Sequence, residues 1–259
     1  MKDYNHVLSD FTEELRRATN VDEGFAALDK AVDKLGFSGV LYTLIPRIRQ
    51  DKYPPVFNAS DSYRPFLDVY VEARLDLDDP ILFQAAAGET KPLDWLTELK
   101  RNEMTKKEKE VILIARDDHQ ITNGITFPLV QEKAYFAVSS ITGSNGNRDF
   151  YTLFTDRDDI VKECIRLFHG EVMNRWYRST LFYKPLRDAL NPTEKKLLKG
   201  YLDHKSLKTM SEEMGLKQGY LKNVTWDIRK KLSGTDAKGR PKWTKEQLLC
   251  FLSALKIEL

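Results

Sequence analysis

The sequence predicts an α+β body, a sheet covered by helices, followed by a smaller all-helical segment. Three observations carry that expectation. Apolar residues recur at helical spacing through most of the first 180 positions, broken by three runs rich in β-branched and aromatic residues. Beyond Pro185 the helical pattern continues without a strand-like run. The charge divides at the same place: from Leu186 onward 16 Lys/Arg face 9 Asp/Glu, whereas the preceding residues carry 25 against 30. The formal net charge of +2 over 259 residues therefore hides a −5 body joined to a +7 tail, an asymmetry that points to a nucleic-acid partner for the tail. A hydrophobic fraction of 41% can fill a packed core and excludes wholesale disorder.

Taken in order, Val7, Phe11 and Leu15 mark a first helix, and Phe25, Leu28, Val32 and Leu35 a second one after a cap at Asn20. Gly36 stops it. Residues 39–45 (GVLYTLI) read as a strand ending at Pro46, and 47–55 as a polar loop. A helix over 63–74 places Phe66, Val69, Tyr70 and Ala73 on one face. Asp79-Pro80 opens another, since proline fits a first helical turn whose N–H has no partner anyway. Residues 104–117 read as a Lys/Glu-rich helix, 124–130 and 134–142 as two strands joined by a short turn, and 160–182 as a long helix. Such a body can enclose a small molecule between sheet and helices. The junction is expected over 179–190, between a body of residues 1–178 and a tail of 191–259, because Pro185 and Asn191-Pro192 bracket it.

In the tail, Pro192 begins a helix, 206–214 form a short second one, and Gly215-Leu216 turns the chain into a third over 217–232. Two short helices joined through a glycine-containing turn form the helix-turn-helix pattern, whose second helix enters the DNA major groove. Leu221, Val224, Ile228 and Leu232 make its buried stripe. Lys217, Gln218, Lys222, Asn223, Trp226, Arg229 and Lys230 fall on the other face, where Gln and Asn can pair with adenine edges and Lys with guanine or phosphate. The alternative is a solvated Lys-rich face of an ordinary bundle. A last amphipathic helix over 243–255 has an apolar face wide enough for dimer contact as well as packing.

Several classes are not expected. Cys164 and Cys250 lack disulfide-framework or metal spacing, and His6, His119, His169 and His204 are scattered, so neither metal nor cofactor is anticipated. The polar start argues against a secretory signal, and no apolar run reaches the ~20 residues that span a bilayer, so a cytoplasmic protein without membrane contact is expected. An enzyme is not expected: Ser139-Ser140 lacks the GxSxG elbow and no phosphate-binding glycine loop occurs.

The tail run Leu190-Asn191-Pro192-Thr193-Glu194, then Leu198, Met210, Leu216, Leu221, Ile228 and Lys231-Leu232, resembles the DNA-binding domain of LuxR-type regulators. The body is similar too: residues 35–46 resemble the family's first strand region, and Tyr70, Asp79-Pro80, Trp95 and 124–128 (GITFP) follow with family-like spacing. The resemblance covers nearly the whole chain. It implies an α/β/α sandwich that binds an acyl-homoserine lactone, then a four-helix helix-turn-helix domain that binds double-stranded DNA as a homodimer. RNA polymerase or a regulatory protein is a further partner it suggests. Asp79 takes the place of the aspartate that accepts from the ligand amide, Tyr70 that of a pocket tyrosine, Trp95 that of the aromatic near the lactone ring. Ser139 lies where the family often places a polar strand residue at the ligand amide. Read from spacing alone, Asp79 is a helix cap and the two aromatics are core residues.

The sequence also departs from the pattern. Phe66 stands where the family carries a tryptophan that donates to the lactone carbonyl, and phenylalanine has no donor. The tyrosine four residues earlier falls on Ser62, with Tyr63 adjacent. In the tail Thr209 replaces a glutamate, His204 a glycine and Val224 a histidine, and 233–242 is longer than usual. A ligand-responsive regulator is the leading expectation. A same-fold regulator with another ligand or none, and an interaction protein that sequesters a related regulator, stay open.

Overall fold

The computed structural model describes residues 4–49, 51–101, 103–144, 146–176 and 181–255. Helices α1 (Asn5–Arg17) and α2 (Val21–Lys34) form a pair, with the Asn20 side chain accepting from the Glu23 N–H at 2.9 Å to cap the second. Strand β1 (Gly39–Pro46) follows, then a short β2 (Phe57–Ala59) and helices α3 (Arg64–Glu72) and α4 (Pro80–Ala87). A two-residue β3 (Leu93–Asp94) leads into α5 (Trp95–Leu99) and α6 (Lys106–Leu113), the latter extended by a π turn over Ile114–Asp118. Strands β4 (Asn123–Gln131) and β5 (Tyr135–Gly143) and the long helix α7 (Asn147–Glu171) complete the body.

The five strands form one sheet in the order β2-β1-β5-β4-β3, antiparallel throughout. Both faces are covered. Val40, Tyr42, Leu44, Ala137 and Ile141 point to one side and pack with Phe11, Leu28, Val32, Ile165 and Phe168 of α1, α2 and α7. Leu41, Ile45, Phe136 and Val138 point to the other and pack with Phe66, Tyr70, Ile81, Leu82 and Val111 of α3, α4 and α6. Because strand side chains alternate, the register decides which residue meets which helix layer. The α/β/α arrangement is the expected one, with three additions. Strands β2 and β3 and helix α5 are too short to leave a periodic signature. Helix α7 starts at Asn147, about three turns before the apolar pattern begins, because those turns are largely polar.

The junction is built rather than slack. Of the expected 179–190, positions 179 and 180 lie outside the described residues; Leu181–Tyr183 form a 3₁₀ turn and Lys184–Ala189 form α8, with Phe182, Tyr183 and Leu186 fully buried. Phe182 packs edge-on against Tyr42 of β1 at 5.3 Å between centroids. The tail then runs through α9 (Pro192–Leu202), α10 (Leu207–Met214), α11 (Gln218–Ser233) and α12 (Lys245–Leu255). Asn191 and Glu194 form a reciprocal capping box at the start of α9. The buried Glu194 carboxylate also takes Lys231 Nζ of α11 at 2.6 and 2.7 Å, while Lys231 donates to the Ala189 carbonyl as well. One ion pair thus ties α8, α9 and α11 together. In α12, Leu248, Phe251 and Leu252 are buried within the chain, so the face expected to serve a dimer is largely used internally; the Leu255 side chain lies outside the described residues.

Two tail departures have visible consequences. Thr209 occupies the third position of α10, where its N–H donates to Ser206 Oγ at 3.0 Å and its hydroxyl shares a second hydrogen bond with it at 2.8 Å. The cap survives without the glutamate. His204 sits just past α9 at φ 58°, the left-handed region that costs a side chain about 1 kcal/mol. His204→Gly is therefore expected to raise stability by about 1 kcal/mol, less a few tenths for the added freedom of the unfolded chain. A urea midpoint that stays the same or falls would refute strain at this turn.

Candidate functional site

Between the sheet and α3–α6 lies a cavity with about 530 Å³ of unfilled space, its mouth included. Leu41, Leu67, Ile81, Leu82, Val111 and Val138 make its wall largely apolar. The polar groups that reach it fall into two sets. The first centres on Asp79, the N-cap of α4, whose Oδ1 accepts from the N–H groups of Ile81 and Leu82 at 2.8 and 3.2 Å. Its Oδ2 accepts from the Tyr70 hydroxyl at 2.6 Å. An ionised carboxylate has about four acceptor positions, and these three bonds leave room for one more donor. Asp79 keeps part of its surface at the cavity wall but is surrounded by protein, and that desolvation raises its pKa against the lowering effect of the three bonds. Burial and the neighbouring carboxylate push Tyr70 well above the ordinary phenol value.

The second set crosses the sheet. The Trp95 indole N–H donates to Thr126 Oγ1 at 2.9 Å, and Thr126 shares a 2.8 Å hydrogen bond with Ser140 Oγ directly opposite it across β4 and β5. Gly124 makes this possible: a Cβ there would stand 2.4 Å from the Trp95 ring, so only a bare backbone lets the indole lie on the strand. Tyr63 contributes its ring, with its buried hydroxyl beside Thr142 but without a well-formed hydrogen bond.

Of the six residues expected at the ligand, Tyr63, Phe66, Tyr70, Asp79 and Trp95 line this one cavity. Ser139 does not. The register pairs it with Tyr42 on the opposite face, where its hydroxyl donates to the Leu41 carbonyl at 2.8 Å. Its neighbour Ser140 faces the cavity instead, because alternation puts adjacent strand residues on opposite sides. Thr126 and Ser140 are not among the residues expected from the sequence, and alternation could not have identified them, because Tyr135, Ala137 and Ile141 on one side of β5 are as apolar as Phe136 and Val138 on the other.

Residues 20–166, more than half of the chain, match the family model of the autoinducer binding domain. The chain belongs to the autoinducer-binding family of LuxR-type regulators. Its fold is similar to that of Escherichia coli SdiA in a crystal structure, at TM-score 0.53 and 12% identity over 99% of this chain and 100% of that one. A second crystal structure, of the N-acylhomoserine lactone dependent LuxR family transcription factor CepR2 from Burkholderia cenocepacia, shows 16% identity and TM-score 0.49 over 66% of this chain and 96% of that one. SdiA in complex with octanoyl-rac-glycerol gives 12% identity and TM-score 0.49 over 98% and 97%. No curated protein sequence matches it.

Within this autoinducer-binding domain, the departure at Phe66 is a packing change. Its ring meets Tyr70 and His119 edge-on at 5.5 and 5.6 Å, so an aromatic cluster fills the place of a hydrogen-bond donor. In the tail, Leu221, Val224, Ile228 and Leu232 of α11 are buried, and Lys217, Gln218, Lys222, Asn223, Trp226 and Lys230 share its exposed side. Arg229 is set apart: its Nε donates to the Trp243 carbonyl at 2.7 Å and its guanidinium lies over the Trp226 ring. Tyr220, 52% exposed on the same helix, was missed by the sequence reading. Among the described residues no helix is long and apolar enough to cross a membrane, and no group of three metal-ligating side chains occurs.

The raised pKa of Asp79 gives a signed pH dependence. The folded protein holds this proton more tightly than the unfolded chain does. The associated stability is present below the ordinary value of 3.8 and is lost as pH rises through the higher folded value. Asp79→Asn, which keeps an oxygen for the helix cap, is expected to flatten the decline of Tm just above pH 3.8. An unchanged profile would show that Asp79 titrates normally.

Proposed function

We propose that this chain is a ligand-responsive transcription regulator: its body takes an acyl-homoserine lactone in the cavity, and its tail reads operator DNA as a homodimer. One observation carries the ligand reading. A desolvated carboxylate with one unused acceptor position sits at the wall of an apolar cavity. Leaving such a group short of a donor is costly, and an amide N–H on an otherwise apolar ligand supplies what is missing. Ser140 and Thr126 spend one of their two O–H groups on the bond between them and offer the other to a carbonyl of the same ligand. No metal or other cofactor enters this reading. A ligand that binds only the folded state stabilises it by mass action, and a dimer holding two α11 helices about one DNA turn apart then reads a two-fold symmetric site.

A second reading is favoured by Phe66. With no donor at that position and His119 packed behind it, the cavity suits an amide-bearing amphiphile that lacks a lactone carbonyl. Thermal unfolding with acyl-homoserine lactones and with the corresponding straight-chain N-acyl amides separates the two. Lactones are expected to raise Tm at least as much as the amides, and Asp79→Asn to abolish both shifts while leaving the unliganded protein folded. Absence of any shift would refute amide recognition by Asp79; a shift with amides alone would select the second reading.

For the tail, Gln218→Ala or Asn223→Ala is expected to weaken binding to the preferred operator by about 1–3 kcal/mol and to leave non-specific binding nearly unchanged. Lys222→Ala should weaken binding to all sequences and reduce the salt slope by about one counterion. Fluorescence anisotropy over a salt series measures both, and no salt-sensitive binding to any duplex would refute DNA reading.

A further inference from the structure

A second concavity lies outside the ligand cavity, where α2 and α3 flank the open edge of β2. It is a groove open to solvent, with about 1730 Å³ of free space. Its floor includes Phe57 and Val56, with Val71 standing 39% exposed on one bank. Phe57 and Leu67 also line the ligand cavity, so these two side chains are the partition between the two spaces.

Three independent features describe what would fill it. The first is the backbone. The Ser60 N–H donates to the Val40 carbonyl at 2.9 Å, and residues of an antiparallel strand face their partner alternately. The backbone groups of Asn58 and Ser60 therefore face β1, and those of Phe57 and Ala59 face outward along the free edge. The second is Asn58, which is 9% exposed and lines the groove with its Nδ2 donor lacking any hydrogen-bond partner. That nitrogen is covered in the unbound protein, so a turn of the side chain brings it to an acceptor, and a peptide carbonyl is one. The third is charge. Asp22, Asp29, Asp61, Asp68 and Glu72 rim the groove against a single cation, Arg64, which is engaged with Asp61 at 2.7 Å. Among the described residues no ion pair takes up Asp22, Asp68 or Glu72.

We propose that this groove docks an extended, basic peptide segment of another protein, which adds to β2 as an additional strand. Main-chain bonds to Phe57 and Ala59 would hold it, Asn58 would donate to one of its carbonyls, and alternate Lys or Arg side chains would meet the acidic rim. The charge argues against a second copy of this chain pairing edge to edge through the same site, which would bring two acidic rims together. It also argues against an acyl tail emerging from the cavity, which would gain nothing from carboxylates. Because Phe57 touches Tyr70 edge-on at 5.6 Å, a strand held at Phe57 lies one side chain from the ligand's polar anchor.

The test uses the full chain and a fluorescein-labelled nine-residue peptide of alternating Lys and Val. Two further versions are N-methylated on the backbone, one at the Lys positions and one at the Val positions, with the charge unchanged. Strand addition uses the N–H groups of one parity only, so one methylated version is expected to bind at least tenfold more weakly and the other to be little affected. Amide hydrogen exchange at Phe57 and Ala59 should slow on binding. The double change Asp68→Lys with Glu72→Lys, at exposed helix positions where circular dichroism can verify folding, should weaken binding at least tenfold. Equal binding of all three peptides would reduce the site to charge adhesion and overturn the proposal. So would binding that survives the charge reversal, unchanged exchange at the two amides, or no binding of the peptide.

Discussion

The body depends on strands β1 and β5 being buried on both faces along their whole length. Most antiparallel sheets leave one face to water and tolerate sloppy choices there. Here no position is free: Tyr135, Ala137 and Ile141 of β5 belong to the core under α1, α2 and α7, Phe136 and Val138 to the opposite core, and Val138 and Ser140 to the wall of the cavity. A slip of one residue would exchange the two sets, driving Ser140 into the helix core and Ala137 or Ile141 into the cavity. The polar side chains on the cavity face are acceptable because they bond to one another. Thr126 and Ser140 stand directly opposite in the register, and Trp95 closes the set from α5. Fold specification and site construction are thus one requirement.

Asp79 shows the same double use at a helix end. As an N-cap it satisfies two N–H groups that α4 would otherwise leave open, a contribution of about 1 kcal/mol. As a desolvated carboxylate it works against the fold once ionised, as its raised pKa records. The Tyr70 hydroxyl offsets part of that cost and leaves an acceptor position facing the cavity. A cap needed only for the helix could have been serine or threonine, without a charge to bury. What distinguishes aspartate here is the extra acceptor capacity, part of which the Tyr70 hydroxyl takes up from α3.

How much of this was legible in the sequence follows from the length of each signal. Helices α1, α2 and α11 repeat their apolar stripe over three or more turns and show caps or stops, so they were readable directly. Strand β2 has three residues and β3 two, and no period can be recognised over so few positions. At the site, Asp79, Tyr70 and Trp95 came from a resemblance to a family; geometry then showed what joins them. Ser139 was a failure of parity. Two adjacent serines on a strand fully buried on both faces give no polar side to mark which of them faces the cavity. The junction misled for another reason: Pro185 reads as a break, whereas it occupies the first turn of α8, where proline is at home.

That junction bears on how a body of this kind can influence its tail. A slack tether would leave the tail free to turn whatever happened in the cavity. Here Phe182 is buried against Tyr42, and burying a phenylalanine is worth about 2 kcal/mol. Tyr42 in turn shares a 2.8 Å hydrogen bond with His169 of α7, whose imidazole burial lowers to about 4 and so keeps neutral at pH 7. From the same segment, Leu186 enters the continuous core that reaches α11, and Lys231 of α11 bonds the last carbonyl of α8. In the same last turn of α11 the Leu232 carbonyl accepts from the Arg49 N–H at 2.9 Å, just beyond the end of β1. The last turn of α11 is therefore tied by two routes, through α8 and through Arg49, to the strand whose other face forms the cavity wall at Leu41. Any ligand that shifts β1 must move both anchors together or break one of them.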